Sequence, residues 1–135
     1  MVNQRFAFAV HILAILAYSD EVVCSRTVAA SVNTNPVVIR RLLLALRRAG
    51  LIETCSGKHG GAKLATHPSR ISLLEIYDAV EPRPVIAVSN RKKFAKCPVS
   101  CGMKDIMTEV SVGADRAMGN HLRSVSLAQL LRKIR

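Results

Sequence analysis

The fold is decided by one stretch of the chain, residues 35–64, which reads NPVVIRRLLLALRRAGLIETCSGKHGGAKL. Asn35 is a good helix cap because its side chain can accept a hydrogen bond from a free backbone N–H, and Pro36 suits the first helical position, where no N–H is needed. Leucines then recur at helical spacing as far as Gly50, which suits a left-handed helix end. The stretch therefore predicts a helix from Pro36 to Gly50.

The second half of the stretch predicts a β-hairpin. Residues 51–55 and 62–65 are short and apolar or β-prone, and they flank the turn 56–61, which reads SGKHGG. Glycine allows the backbone conformations that a tight turn requires. A helix followed by a hairpin with a basic tip is typical of a winged-helix domain, in which the hairpin is called the wing.

The upstream sequence supplies the partner of that helix. Residues 3–18 carry apolar side chains on nearly every face and predict a buried helix. Val22–Cys24 predicts a short strand, and Ser25 is expected to cap a second helix over 26–32. Two helices joined by the tight turn 33–35 predict a helix-turn-helix.

The downstream sequence predicts three more helices. Ser72 and Glu75 form a capping box for a helix that ends near Glu81–Pro82, and Ser126 and Gln129 form another for a terminal helix over 127–134. Between them, residues 85–100 lose all periodicity and are expected to form a loop. A long amphipathic helix is expected from residue 104.

The predicted fold is mostly α with a small β-hairpin wing, an α+β winged helix-turn-helix with a long C-terminal dimerisation helix. Three segments are expected: a DNA-binding domain over 1–82, a basic cysteine-containing loop over 83–103, and the dimerisation helix with its short terminal helix over 104–135. An apolar stripe on the long helix has no partner in its own neighbourhood and predicts a homodimer. The stripe comprises Ile106, Val110, Ala114, Ala117, His121 and Val125.

Charge and composition restrict the partner. Lys and Arg number 20 against 9 acidic residues, and the net charge of +11 points to a polyanion, either nucleic acid or an acidic membrane surface. The apolar run 6–17 is shorter than the roughly 20 residues of a membrane-spanning helix. It could also serve as a secretory signal, but four scattered cysteines do not form a secreted disulfide framework, so we expect a cytoplasmic protein without a membrane partner.

Basic residues concentrate where the helix-turn-helix and wing are predicted. Between residues 22 and 71 there are eight of them and one acidic residue. The N-terminus of a recognition helix meets base edges in the major groove, while lysines and backbone amides hold phosphates. A double-stranded DNA operator is therefore the expected partner. The candidate contacts are Arg26, Thr34, Asn35, Pro36, Val37, Arg40, Arg41, Ser56, Lys58, His59, Gly60, Gly61 and Lys63.

The same residues resemble the Rrf2 family of bacterial transcriptional regulators, in its YwnA-like branch. The resemblance rests on NPVVIRRLL at 35–43, LRRAGLI at 46–52, the glycine pair at 60–61, ISLLEI at 71–76 and the segment Cys97-Pro98-Val99. It implies a winged helix-turn-helix that binds an operator as a homodimer and represses or activates. Ala62 departs from the family, because many members carry Tyr after the paired glycines.

The cysteines leave several alternatives open. Several family members ligate an iron–sulfur cluster through three cysteines before the long helix, whereas this chain has only Cys97 and Cys101 there. No cofactor or metal is therefore expected. An iron–sulfur cluster remains the alternative. Lysines near these two thiols favour the thiolate form, which predicts that Cys97 or Cys101 senses oxidants and is oxidised before Cys24. Cys24 is expected to be a small apolar filler. Mild peroxide would then change DNA affinity.

Other classes of function are less well supported. The sequence has no nucleophile elbow, paired carboxylates or phosphate-binding loop, and an enzyme is not expected. The alternatives to an oxidant-responsive repressor are an effector-independent DNA-binding protein, a sensor that acts through a protein partner, and a basic protein of the membrane surface. Only five aromatic residues argue against the last.

Overall fold

The computed structural model describes residues 3–81 and 83–134, and it has the predicted mostly helical fold with one hairpin. The structure does not describe Met1, Val2, Pro82 and Arg135. The expected end of the first domain, at Pro82, therefore lies outside the described residues. The elements are α1 Arg5–Ser19, α2 Ser25–Val32, α3 Pro36–Arg48, β1 Ile52–Cys55, β2 Gly61–Leu64, a 3₁₀ turn Pro68–Arg70, α4 Leu73–Val80, α5 Pro98–Arg123 and α6 Leu127–Leu131. None of the described helices has the length and apolar character needed to cross a bilayer.

The described residues separate into two compact units. The first runs to Glu81 and resumes at Leu122, and the second runs from Arg83 to His121. The expected grouping of the terminal helix with the long helix over 104–135 is therefore corrected. Leu127 is fully buried in the core of the first unit, and its N–H donates to the carbonyl of Ile71 over 2.8 Å.

The core of the first unit is built around α3. Ile39 and Leu46 are fully buried, and Leu42 and Leu43 are nearly so, alongside Ile12, Leu13 and Leu16 of α1 and Val28 of α2. Burying a Leu or Ile side chain contributes about 1.5–3 kcal/mol to folding. One face of α3 is thus fixed inward, and its opposite face must point outward.

The start of α3 follows the sequence prediction, and its end comes two residues before the predicted one. The Asn35 side chain accepts a hydrogen bond from the N–H of Val37 at 2.8 Å, ahead of Pro36 in the first turn. Gly50 has φ +77°, a left-handed conformation, although the helix itself ends at Arg48. At α2 the prediction is off by one residue, because Cys24 occupies the cap position and Ser25 is the first helical residue.

The wing pairs β1 with β2 in antiparallel register, with Cys55 opposite Gly61 and Thr54 opposite Ala62. The predicted strand over 22–24 is reduced to one bridge, in which Val23 and Ala62 exchange two hydrogen bonds of 2.9 Å. A Cβ on Gly61 would overlap the carbonyl oxygen of Val23. Glycine is therefore required where the wing meets the start of α2.

Both predicted capping boxes are present, and they lie side by side. Ser72 and Ser126 form an antiparallel bridge, and the N–H of Leu73 donates to the carbonyl of Val125 at 2.9 Å. The starts of α4 and α6 are thus joined through backbone pairing. This is why the end of the chain belongs with the first unit.

In the second unit, α5 begins at Pro98 rather than at residue 104. Proline is tolerated in the first turn, and the N–H of Cys101 already donates to the carbonyl of Cys97 at 3.0 Å. The preceding segment lies against α5, because the N–H of Val85 donates to Asp115 at 2.9 Å and the Ser111 hydroxyl donates to the carbonyl of Ile86 at 2.9 Å. The expected loop over 83–103 is therefore helical in its last part.

We predict that Gly61→Ala destabilises the protein by about 1–3 kcal/mol, because the added methyl group forces the wing away from Val23 and breaks the paired hydrogen bonds. The measurement is urea unfolding followed by circular dichroism. Gly102→Ala in α5 is the matched control, since a Cβ there meets only Ile106 at 4.0 Å. Equal stability of the two variants would contradict this role of Gly61.

Candidate nucleic-acid interface

The outward face of α3 is a mixed apolar and basic surface. At about 100° per residue, Val37 and Leu44 lie opposite the buried residues of the helix, and they are 42% and 43% exposed. Exposed arginines lie on both sides of this line. They are Arg40 and Arg47 on one edge and Arg41 and Arg48 on the other.

The two edges of α3 have different neighbours. Leu43, on the Arg40 side, lines a cavity shared with the wing, whereas Arg41 lines a cleft together with Arg5 and Val80. Arg40 therefore lies toward the wing and Arg41 toward α1 and α4. The sequence does not distinguish these adjacent arginines, because their difference depends on what packs on each side of the helix.

The residues at the start of α3 are accessible. Asn35, Pro36 and Val37 are exposed, and Thr34 is half-buried. Within the described residues, one side of this helix N-terminus is therefore open to solvent, while Val38 and Ile39 turn inward. The first turn of α3 is thus free to approach a ligand end-on.

The wing places its charges on two different sides. Ser56, Lys58 and His59 are exposed at the tip, and Gly60 and Gly61 are half-buried. Lys63 instead lies 3.7 Å from Glu53 and lines a cleft with Asp20 and Glu21. Its charge is partly offset, so Lys63 is separated from the other candidate contacts.

A cavity of about 540 Å³ lies between the start of α2 and the wing. Arg26 and Lys58 line it, and Gly57, Gly60 and Gly61 leave part of its wall as bare backbone. Exposed cations beside open backbone can hold an anion such as a phosphate group. The structure thus brings the predicted contacts Arg26, Lys58 and the wing glycines together in one place.

Cys24 lies at the mouth of this cavity, and the expectation that it is an apolar filler is wrong. The residue is exposed, and its Sγ lies 3.2 Å from the Thr27 hydroxyl. Hydrogen bonds from the Thr27 side chain and backbone, together with the charge of Arg26, hold the pKa of the Cys24 thiol below its usual value. Sequence reasoning missed this because a cap position was assigned to Ser25.

Cys97 and Cys101 lie one turn apart at the start of α5. The Sγ of Cys97 accepts from the N–H of Ser100 at 3.5 Å, whereas the thiol of Cys101 donates to the carbonyls of Phe94 and Ala95 at 3.7 and 3.8 Å. Cys97 is half-buried and Cys101 is exposed. The two thiols therefore share one small region of the second unit, as their spacing suggested.

The apolar stripe on α5 is largely exposed. Ile106 is 55% and Val110 is 49% exposed, and Ala117 and His121 are exposed as well. Ala114 is half-buried. Val125 is also half-buried and belongs to the first unit, where its carbonyl accepts from Leu73.

The three-helix core, the outward α3 and the basic hairpin define a winged helix-turn-helix DNA-binding regulator. The chain belongs to the Rrf2 family, since the profile of that family, described as an iron-dependent transcriptional regulator, matches residues 2–133. It is 38% identical over 131 residues to the HTH-type transcriptional regulator YwnA of Bacillus subtilis (strain 168), and the match covers 97% of each chain. These proteins are regulators of transcription and not enzymes.

Solved structures have the same fold. A DNA-binding protein 38% identical to this chain has a TM-score of 0.77, over 94% of this chain and 98% of the other. A transcriptional regulator from Lactobacillus plantarum, 27% identical, has a TM-score of 0.83, over 97% of this chain and 89% of the other. The likeness therefore extends over nearly the full length of both proteins.

The iron in the family description does not fit the donor set of this chain. Iron–sulfur clusters are held mainly by several cysteine thiolates, and within the described residues no three His, Cys, Asp or Glu side chains lie close enough to bind a metal ion. Cys97 and Cys101 form a pair without a third thiol in their part of the structure.

We predict that iodoacetamide alkylates Cys24 rapidly even at pH values where an ordinary thiol is mostly protonated and reacts slowly. The lowered pKa of Cys24 keeps it a thiolate to lower pH. Rates are measured on a variant whose other three cysteines are serine. Thr27→Val should move the pH profile upward, whereas Ser25→Ala should leave it unchanged. A profile insensitive to Thr27→Val would contradict the assigned cause.

Proposed function

We propose that the protein is a sequence-specific regulator that binds a DNA operator as a homodimer and represses transcription by occupying it. The observation that carries this is the outward face of α3: its first turn and Arg40 are exposed, and Leu43, on the Arg40 edge, lines a cavity with the basic wing. An α-helix fits the major groove, and Arg can donate two hydrogen bonds to guanine there. Lys58 and Arg26 are assigned to phosphates.

The two kinds of contact have different consequences for binding. Base contacts discriminate between sequences, whereas phosphate contacts contribute equally on any duplex and make affinity depend on salt. Arg40 is assigned to base edges because it lies on the wing side of the exposed α3 face. Arg41 is assigned to the flanking region, where it shares a cleft with Arg5.

We predict that Arg40→Ala weakens operator binding by about 1–3 kcal/mol and barely affects random DNA, because it removes a base contact. Lys58→Gln should weaken both alike and reduce the slope of log affinity against log salt by about 0.9. Competition titrations at several salt concentrations measure both effects. Lys63→Gln is the control, since this residue faces Glu53. Equal losses on both DNAs for Arg40→Ala would reassign it to phosphate.

A second copy of the chain is the proposed cover for the stripe on α5. Exposed Ile106 and Val110 lie within about 40° of each other around the helix and leave apolar area in water. A C₂ dimer would bury the same stripe from both subunits and repeat the recognition helix on two operator half-sites.

We predict that the protein is a dimer at micromolar concentration and that Ile106→Glu with Val110→Glu makes it a monomer, because the glutamates would bury unpaired charge. Light scattering measures the mass. Val112→Glu is the matched control, because Val112 is 50% exposed on another side of the same helix. A monomeric wild type, or dissociation by Val112→Glu alone, would refute the proposed interface.

The proposed response to oxidants uses Cys97 and Cys101. Cys97 directly precedes α5 and Cys101 lies in its first turn, so a disulfide between them would require the backbone at the helix start to bring the two Cβ atoms within about 4.5 Å of each other. Peroxide would convert the two thiols to one disulfide with release of two water molecules. The bond would form at the first turn of α5 and alter the helix that carries the proposed dimer stripe.

We predict that mild peroxide links Cys97 to Cys101 and changes operator affinity, and that dithiothreitol reverses both effects. Mass spectrometry identifies the disulfide, and affinity is measured on the reduced and oxidised protein. Cys97→Ser with Cys101→Ser should abolish the change, whereas Cys24→Ser should preserve it. Loss of the response in the Cys24→Ser variant would transfer sensing to Cys24. A brown protein after anaerobic purification would support the cluster alternative.

A further inference from the structure

The second unit contains a cleft of about 520 Å³ that the proposed DNA contacts do not use. Its walls are the segment 87–93 and the first three turns of α5. Clefts of roughly 300–1,000 Å³ are typical of small-molecule sites. We propose that this cleft binds a small organic carboxylate with an apolar body.

The first argument is the charge of the cleft. Arg91, Lys92, Lys93 and Lys104 all line it, and none of these four side chains has an ion pair within the described residues. No acidic residue lines it. Four like charges at one cleft repel each other, and a bound anion would relieve that repulsion.

The second argument is the apolar floor. Met107 is half-buried in this cleft, and Val99 and Met103 border it on the side of the apolar stripe of α5. A ligand with an apolar body would cover this surface, whereas a sugar-phosphate backbone offers it no matching contact. A cationic rim over an apolar floor therefore favours a compact amphiphilic anion over DNA.

The third argument is that the cleft has a defined shape. The N–H of Phe94 donates to the Ser100 hydroxyl at 2.8 Å, which ties the end of the basic segment to α5. At the other end, the Ser111 hydroxyl donates to the carbonyl of Ile86 at 2.9 Å. The segment between these two attachments is held along the helix, so its cations remain near the floor.

The test is isothermal titration of the full-length, reduced protein with octanoate, acetate and octylammonium. One octanoate is expected per chain. Acetate should bind at least about tenfold more weakly because it cannot cover the apolar floor, and octylammonium should be repelled by the cationic rim. Binding of octanoate and octylammonium with equal affinity would overturn the proposal, since it would show adsorption to apolar surface only.

Two variants locate the site. Lys93→Gln with Lys104→Gln should weaken octanoate binding by roughly tenfold or more through loss of charge-assisted contacts. Lys96→Gln with Lys133→Gln removes the same total charge from positions outside the cleft and should leave the affinity unchanged. Equal affinities of the two variants would place the ligand elsewhere and overturn the proposal.

The experiment also separates the cleft from the DNA interface. If Lys93→Gln with Lys104→Gln leaves octanoate binding intact but lowers affinity for all DNA and reduces its salt dependence, the cations are phosphate contacts and the proposal is wrong. The titration contains no DNA. A failure of operator binding in the Arg40→Ala series is therefore independent of this result.

Discussion

The burial of one face of α3 is the constraint on which the rest of the structure depends. Ile39, Leu42, Leu43 and Leu46 all turn into the core of the first unit. Because side chains repeat every 3.6 residues, burying this face directs the arginines outward. The hydrophobic core therefore does more than stabilise the fold. It also fixes the orientation of the surface that we assign to DNA.

The wing depends on a second constraint, the close backbone approach at Gly61. The strand edge of Ala62 pairs with Val23 just before α2 begins, and this contact leaves no room for a side chain. It brings the basic hairpin tip to the start of α2, where Arg26 and Cys24 line the same cavity. A single glycine thus connects the geometry of the wing to the chemical environment of a thiol.

The basic charge of the chain falls into regions with different structural surroundings. The charges around α3 and the wing tip lie on an exposed surface, as long polyanions require, whereas those of residues 91–104 surround a cleft with an apolar floor. Lys63 shows that position in sequence alone does not describe the surroundings of a charge, because Glu53 lies 3.7 Å from its ammonium group and partly offsets it. Composition gives the total charge, and packing distributes it.

The sequence by itself determined the local features: the cap at Asn35, the left-handed Gly50, both capping boxes, the hairpin and the family. Each depends on residues within a few positions of one another, so local rules suffice. The pairing of Val23 with Ala62 beside the cap at Cys24 and the return of α6 to the first unit were decided by tertiary structure. They depend on hydrogen bonds and burial between segments distant in the chain, such as Ile71 with Leu127, which no local pattern encodes.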